Sequence, residues 1–341
     1  MRIALNPQKF YELIVQPSFA DIAPGANMYP DTLHLFTMVP DVSLANGRSI
    51  IDIYQKQNFL KRRDRSCKTV WSTVGTSGTR KLIVSELYAA TEFCQEEFYD
   101  GPLKDLRNQP EIFRNLSFDI LKKGTRADII TNAYFGDVTR AADANKIYNW
   151  NSFDGIVANI QQGITDTLIP AGQVLSALPS GELTASDAYD ILNEAYKKRS
   201  DVMEAVDEAD LVFTVDRKLA EAYMDYLIAT GVPSASGPAF IQNGIPVLNF
   251  KGIPIYVEKT WGPILKALNG GMNEAHMCLL TIRGNFMYGM DRTYGGGQNL
   301  DEAARIWYDE DDDIWKSKLY MTGGTQIIRP DAVVFGITTI A

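Results

Sequence analysis

The hydrophobic pattern of this chain changes period several times, and each change marks an element. Val70, Ser72 and Val74 alternate with Trp71, Thr73 and Gly75, and Thr79–Tyr88 is a second run rich in strand-forming residues. Gly75–Thr76–Ser77–Gly78 between them is turn material, so the pattern predicts a long β-hairpin within residues 36–92. A two-stranded hairpin is only marginally stable in water, so one of this length needs a surface to rest on. The period then lengthens. Ile112, Phe113, Leu116, Ile120, Leu121, Ile129, Ile130 and Ala133 fall on one helical stripe, with Arg114, Lys122, Lys123, Arg126 and Asp128 opposite. Pro110 suits the first turn, where its missing N–H costs nothing, and Gly136 ends a helix predicted over 110–133. Gly124 interrupts it at a cost of about 1 kcal/mol relative to Ala, which is a place for a bend.

A second unit begins near Tyr134. Thr184 followed by Asp187 has the spacing of a capping box and opens a helix predicted to run to Val206. Leu211–Val215 is a strand, and Asp216 caps a helix with Leu219, Tyr223, Tyr226 and Leu227 on one face, closed by Gly231 and Pro233. Strands are predicted at Ile245–Leu248, Ile253–Glu258 and Met277–Ile282. Residues 302–308 and 314–321 read as a strand pair around an acidic tip, followed by strands at Thr325–Arg329 and Ala332–Ile337. Helix, strand, helix and then several strands make the fold class α+β rather than a doubly wound sheet. No internal repeat is present.

Residues 1–35 carry Pro7, Pro17, Pro24, Gly25 and Pro30 and read as an extended arm with one short helical turn near Phe10. The arm also holds Phe19, Ile22, Met28 and Tyr29, apolar groups that an extended segment cannot bury by itself and that call for a partner surface. With 341 residues, 45% hydrophobic and 22% charged, the chain has the make-up of a folded protein. No apolar run approaches the ~18 residues of a membrane span, and MRIALNPQKF lacks the apolar core of a secretory signal. Cys67, Cys94 and Cys278 are odd in number and widely spaced. That argues against a disulfide framework or a Cys-paired zinc site and for synthesis in a reducing compartment.

Charge narrows the function. The formal net charge is −9, the wrong sign for a protein that grips nucleic acid over its whole surface, because phosphate neutralisation supplies most such affinity. It suits a protein that stays near DNA without adhering to it. The charges are grouped. Lys61, Arg62, Arg63, Arg65 and Lys68 face Asp64 alone, whereas Asp301, Glu302, Asp309, Glu310, Asp311, Asp312 and Asp313 face Arg305 alone. Between Glu182 and Asp210, nine acidic residues face Lys197, Lys198 and Arg199. Each block is either a solvated face or half of a contact between subunits.

Catalytic chemistry has little to stand on. His34 and His276 are the only histidines and have no ligand-spaced partners; His276, two residues before Cys278 in an apolar stretch, reads as a packed core histidine. Gly75–Thr76–Ser77–Gly78 is not a nucleophile elbow, and Gly295–Gly296–Gly297 has no Lys-Ser/Thr behind it to hold a phosphate. No catalytic residue, cofactor site or metal site declares itself.

Particular stretches carry a resemblance. The long helix ends in Tyr134–Phe135–Gly136–Asp137; Leu211–Val212–Phe213–Thr214 leads into a helix and is followed later by Gly252–Ile253–Pro254–Ile255–Tyr256–Val257. Further on come Asn285–Phe286–Met287–Tyr288–Gly289–Met290–Asp291–Arg292 and Gly324–Thr325–Gln326–Ile327–Ile328–Arg329–Pro330–Asp331–Ala332–Val333–Val334. In this order, after an arm and a long hairpin, they resemble the major capsid protein of tailed bacteriophages. That Hong Kong phage-type fold is also used by herpesvirus shells and encapsulins. The resemblance spans nearly the whole chain.

It implies an N-terminal arm at 1–35, an E-loop hairpin at 36–92, and a P-domain from 93–133 and 281–325, with its spine helix at 110–133 and acidic loop at 307–315. An A-domain from 134–280 and 326–341 completes it. It implies a structural protein rather than an enzyme, one that assembles as pentamers and hexamers into an icosahedral shell around double-stranded DNA, without sequence-specific binding. The implied partners are further copies of the chain, a portal protein, a separate scaffolding protein and decoration proteins, with no cofactor and no membrane. The implied setting is the virion, after assembly in the host cytoplasm. Arm and hairpin would lie on neighbouring subunits, making Phe10, Phe19, Lys61, Arg62, Arg63, Arg65 and Trp71 the expected inter-subunit contacts. Asp309, Glu310, Asp311, Asp312 and Asp313 would meet their copies at a three-fold axis, where interleaved Arg292 and Arg305, a divalent cation or plain solvation would keep them apart. Many relatives begin with a charged helical scaffolding segment that is later cut off, and this sequence opens on the arm, which implies either a separate scaffolding protein or an already mature chain. Founder-type capsids cross-link a Lys to an Asn; Lys56, Lys61, Lys68 and Lys81 lie in the corresponding region with Asn299 as a conceivable acceptor, and solvation or ion pairing is the alternative. Two rival readings are an encapsulin-like compartment with a protein cargo and a soluble α+β enzyme with a carboxylate site.

Overall fold

Two five-stranded sheets organise the molecule. The computed structural model describes residues 35–51, 79–94, 124–141, 149–231, 241–242, 245–246, 248–271, 274–291, 304–309 and 314–338. In chain order the strands begin with β1 (Phe36–Val39), β2 (Arg48–Ile51), β3 (Thr79–Leu82), β4 (Ser85–Cys94) and β5 (Leu211–Asp216). Short pieces β6 (Ile241–Gln242), β7 (Ile245–Pro246) and β8 (Leu248–Phe250) lead to β9 (Ile253–Glu258) and β10 (Met277–Ile282). Then come β11 (Phe286–Gly289), β12 (Ala304–Asp309), β13 (Ile314–Ile327) and β14 (Val333–Ile337). The helices are α1 (124–135), α2 (Ile156–Thr165), α3 (Ala185–Lys197), α4 (Asp201–Glu204), α5 (Arg217–Ala229) and α6 (Trp261–Leu268).

The first sheet is built on β13, whose 14 residues span roughly 46 Å at strand rise. Its first ten residues pair antiparallel with β4, from Ile314↔Cys94 to Gly323↔Ser85, while β12 takes its other side from Asp309↔Ile314 to Ala304↔Leu319. Its last four pair with β11, and β11 in turn pairs parallel with β1, placing Phe36 beside Phe286.

The second sheet runs β14–β10–β5–β9–β8, with β5 and β9 parallel and the other pairs antiparallel. Strand β5 is buried at all six positions, as a central strand covered on both faces must be. Its side chains alternate between two cores. Leu211, Phe213 and Val215 join Cys278, Leu280 and Val334 under α3 and α5. Val212, Leu279, Val333 and Phe335 point the other way, into a core shared with α1, α2, α6 and the first sheet's Phe286, Tyr288 and Leu319. That shared core is aromatic at its centre: Tyr134 meets Phe36 and Trp261 edge-on at 5.3 and 5.2 Å. One apolar body therefore ties the two sheets together.

Four expectations are corrected. The helix predicted to reach Val206 stops at Lys197, because Ser200 accepts a hydrogen bond from the Met203 amide and starts the separate α4. The strands expected at 314–321 and 325–329 are one strand. Gly323–Gly324 supplies a close approach rather than a turn: a Cβ on Gly324 would lie 2.1 Å from the Ile83 carbonyl oxygen. The strand expected at Ile245–Leu248 is broken into β7 and β8. Within the hairpin range expected at 36–92, β1 and β4 are strands of the first sheet and β2 and β3 pair as a hairpin base, while the strand expected at 70–74 and its turn at 75–78 lie outside the described residues. The base is anchored by Leu82, fully buried with Val39, Val42 and Val84, whose methyls come so close to Gly289 that a Cβ there would sit 2.6 Å away. The helix predicted over 110–133 is described only from residue 124, and residues 1–34 lie outside the described part.

Candidate functional site

Phe10, Phe19, Lys61, Arg62, Arg63, Arg65 and Trp71 lie outside the described residues, as do Arg292, Glu310, Asp311, Asp312 and Asp313. Asp309 does not: it is the last residue of β12, and its carboxylate accepts from Lys316 Nζ at 2.6 Å. A cation across the hairpin therefore meets the first charge of the acidic tip. The charge count over 301–313 missed it because Lys316 lies just beyond the block.

The structure brings together a surface that sequence reasoning did not single out. Pairing register puts Glu86, Tyr88, Ala90 and Glu92 of β4 on one face with Thr322, Tyr320, Lys318 and Lys316 of β13, and Trp307 of β12 beside Lys316. Leu87, Ala89, Leu319 and Met321 fall on the opposite face and pack inward. Tyr88 is 72% exposed and Trp307 39%, although large aromatics on a strand face ordinarily find cover. Lys318 Nζ lies 4.8 Å from the Tyr320 ring centroid and 5.6 Å from that of Tyr88, so the face carries aromatic rings and amines in contact. Ile83, 64% exposed in the β3–β4 link, continues the apolar surface toward the hairpin base. The signal in the sequence was the outward half of a period-2 pattern containing Tyr and Trp instead of small polar residues. Behind β4, a groove of about 580 Å³ runs against α1 and is lined by Thr91, Thr125, Asp128, Asn149 and Ser152. Its walls desolvate the Asp128 carboxyl and raise its pKa above the ordinary carboxylate value.

A second polar cluster lies inside the other sheet. Asp216, fully buried at the end of β5, caps α5 by accepting from the Leu219 amide at 3.2 Å and also accepts from the Met277 amide at 3.1 Å. His276 Nδ1 is 3.0 Å from the same carboxylate and its Nε2 is 2.7 Å from the Gly181 carbonyl. Burial alone would lower the imidazole's pKa; the hydrogen bond and charge of Asp216, the Gly181 carbonyl and the charge of Glu274 outweigh it and raise the value. Cys278 is fully buried, and burial pushes its thiol far up, which makes it an inert packing group. Among the described residues no group of three or more His, Cys, Asp or Glu could hold a metal ion, and no helix is long and apolar enough to cross a membrane.

No family model and no curated protein matches the chain. Solved structures do. The satellite phage P4 procapsid with its size determination (Sid) protein shares the fold at a TM-score of 0.51 and 13% identity, over 89% of this chain and 93% of that one. The fold is the phage major capsid fold. The capsid of Ralstonia phage GP4 matches at 0.50 and 11%, over 90% of this chain and 87% of that chain. In this capsid fold the α+β class, the two sheets and the long central strand all have a place. The holo-SrpI encapsulin complex from Synechococcus elongatus matches at 0.46 and 13%, a score that decides nothing between phage shell and compartment.

Proposed function

We propose that the chain is a major capsid protein that assembles as pentamers and hexamers into an icosahedral shell enclosing the double-stranded DNA of a tailed phage. The observation that carries this is the match to a phage procapsid structure over about nine tenths of both chains. The exposed face of β4–β13–β12 supports it, because Tyr88 and Trp307 present apolar area of the kind a neighbouring copy covers. So does the net charge of −9, since a basic lining would hold genome phosphates and impede packing and release. On this reading the arm at 1–34 and the hairpin tip between β2 and β3, with Phe10, Phe19, Trp71 and the 61–68 basic block, reach neighbouring copies. A separate scaffolding protein directs closure, a portal protein occupies one vertex and decoration proteins bind outside. Function is assembly rather than turnover: several moderate interfaces per subunit become effectively intramolecular once the ring closes.

Particle size and contents test this. The expressed chain, alone or with its scaffold, should form closed megadalton shells by negative-stain microscopy and light scattering. Particles purified from their native source should contain double-stranded DNA. A small compact oligomer would overturn the shell reading, and a shell loaded with a protein cargo instead of DNA would replace the phage by a compartment.

A further inference from the structure

We propose that His276 and Asp216 form a pH-operated latch that ties the Gly181 end of the segment 174–181 to the second sheet. With both ring nitrogens protonated, the imidazole joins Asp216 to Gly181; once neutral, it can hold only one of them.

The geometry carries the argument. Nδ1 faces the Asp216 carboxylate at 3.0 Å and Nε2 faces the Gly181 carbonyl at 2.7 Å, and both partners only accept. A neutral imidazole has one N–H, so in either tautomer one of these contacts would set lone pair against lone pair. Asp216 is committed as an acceptor elsewhere too, from the amides of Leu219 and Met277. The imidazole must therefore bring both protons.

The segment it holds is fastened to α3 at its other end. There Lys198 Nζ donates to Val174 O at 2.6 Å, and the Ser176 amide and hydroxyl donate to Glu194 at 3.0 and 2.9 Å. Leu175 and Leu178 are buried in the core, so the latch governs the Gly181 end. The segment touches the edge strand β14 through isolated bridges, Val174↔Phe335 and Leu178↔Thr338, rather than a ladder. The Leu175 amide donates to Phe335 O at 2.8 Å, the Thr338 hydroxyl to Pro179 O at 3.1 Å, and the Gly181 amide to Glu274 O at 2.9 Å. The latch is the charged fastening at the Gly181 end of the segment, as Lys198 and Glu194 are at its Val174–Ser176 end.

The charges around it act in both directions. Asp216 faces the ring from β5, and Glu274, just before β10, adds a second negative charge tempered by Lys218 of α5 at 3.9 Å. Cys278 of β10 stays a neutral thiol, and Glu194 of α3, beyond it, is already paired with Lys198 at 2.8 Å. The net effect holds the imidazole's pKa above its ordinary value. A group raised in the folded state contributes fully below its unfolded value, near 6.5, and its contribution is lost as pH climbs through the folded value. The Gly181 end is released on the alkaline side. This holds whether or not the chain builds a shell.

Histidine C2–H exchange followed by mass spectrometry on the full chain reads the latch directly, with His34 on a separate peptide as internal reference. His276 should titrate above 6.5. Asp216→Asn keeps an acceptor for the α5 cap but removes the charge, and should weaken the proton affinity of His276 at least tenfold. In the same samples the amide of Gly181, corrected for intrinsic rate, should exchange at least tenfold faster above the titration than below it. That of Leu175, at the end held by α3, serves as a control; in His276→Gln the Gly181 amide should exchange fast at every pH. Should His276→Gln fail to fold, the wild-type titration and Asp216→Asn still decide. A His276 that titrates at or below 6.5, a titration unmoved by Asp216→Asn, or a Gly181 amide indifferent to pH would each overturn the latch.

Discussion

The two sheets are made of similar strands and do opposite things with their surfaces. In the second, β5 is buried at every position and β10 at five of six, and even its charged groups, Asp216 and His276, are turned inward and joined. In the first, none of the described side chains of β4 is buried, and its outward row presents Tyr88 beside the lysines of β13. The second sheet satisfies itself, whereas the first is finished on one face only. A strand that buries both faces needs nothing further, while one that exposes aromatic rings leaves apolar area in water at roughly 25 cal/mol per Å² until a partner covers it. On the proposed reading, folding and assembly fall to different parts of one chain.

The sharpest way to break that contrast is to damage each sheet in turn. Phe213→Ala empties a fully buried site between α3, α5 and Phe250 and should cost about 3–5 kcal/mol of subunit stability, seen by denaturant unfolding of the unassembled chain. Assembly would fail with it, as a consequence of the fold. Tyr88→Ala with Trp307→Ala should cost the subunit clearly less than Phe213→Ala, because Tyr88 is 72% and Trp307 39% exposed while Phe213 is fully buried. Shell yield by light scattering should nevertheless fall several-fold. A double variant that assembles with wild-type yield would mean that this face is not where neighbours meet.

Much of the second sheet was legible because its signals are local. The Thr184–Asp187 capping box is formed in full, Asp216 caps α5, and β9 and β10 fall where the apolar runs placed them. The misreadings come from contacts that sequence spacing does not encode. Gly323–Gly324 carries the composition of a turn, yet its lack of side chains serves the passage of Ile83 across β13. The parallel pairing of β1 with β11 joins residues 250 positions apart, Phe36 and Phe286. His276 was read as a core histidine, which its burial supports, but its partner lies 60 residues earlier. The exposed face was illegible for a plainer reason: alternation shows that one side of a strand is different, and only register shows which residues of three strands share it.

A smaller effect is expected at the hairpin tip. If Arg62, Arg63 and Arg65 dock on an acidic face of a neighbour, such as the 182–210 or 301–313 block, each exposed pair contributes only ~0.2–1 kcal/mol, multiplied over every subunit of the shell. Within the 182–210 block, Asp187 and Glu194 already have partners in their own chain, which leaves the exposed Glu182, Asp190, Asp201, Glu204, Asp207, Glu208 and Asp210 as the more available charges. Shells of the triple Arg→Glu variant should dissociate at lower salt than wild type. Equal salt sensitivity in the two would remove the docking idea while leaving the aromatic face intact.

The smallest effect sharpens the comparison at the one point where the first sheet, too, pairs its own charges. Lys316 reaches Asp309 across the β12–β13 hairpin at 2.6 Å, with both side chains 27% exposed. The pair is partly screened by water, so Lys316→Gln should cost the subunit only ~0.2–1 kcal/mol, and less in high salt. A double-mutant cycle with Asp309→Asn isolates the pair from the effect of removing a lysine beside Trp307. If Asp309 serves chiefly to fasten the hairpin, the coupling energy appears in the unassembled subunit and is unchanged in the shell. If instead it belongs with Glu310, Asp311, Asp312 and Asp313 to a cluster shared between three subunits, Lys316→Gln should lower the shell's melting temperature more than the subunit's. It does so by adding one uncompensated charge per copy to a site where three copies meet. The difference between the two melting shifts, measured at low and at high salt, decides which of the two sheets' habits the acidic tip follows.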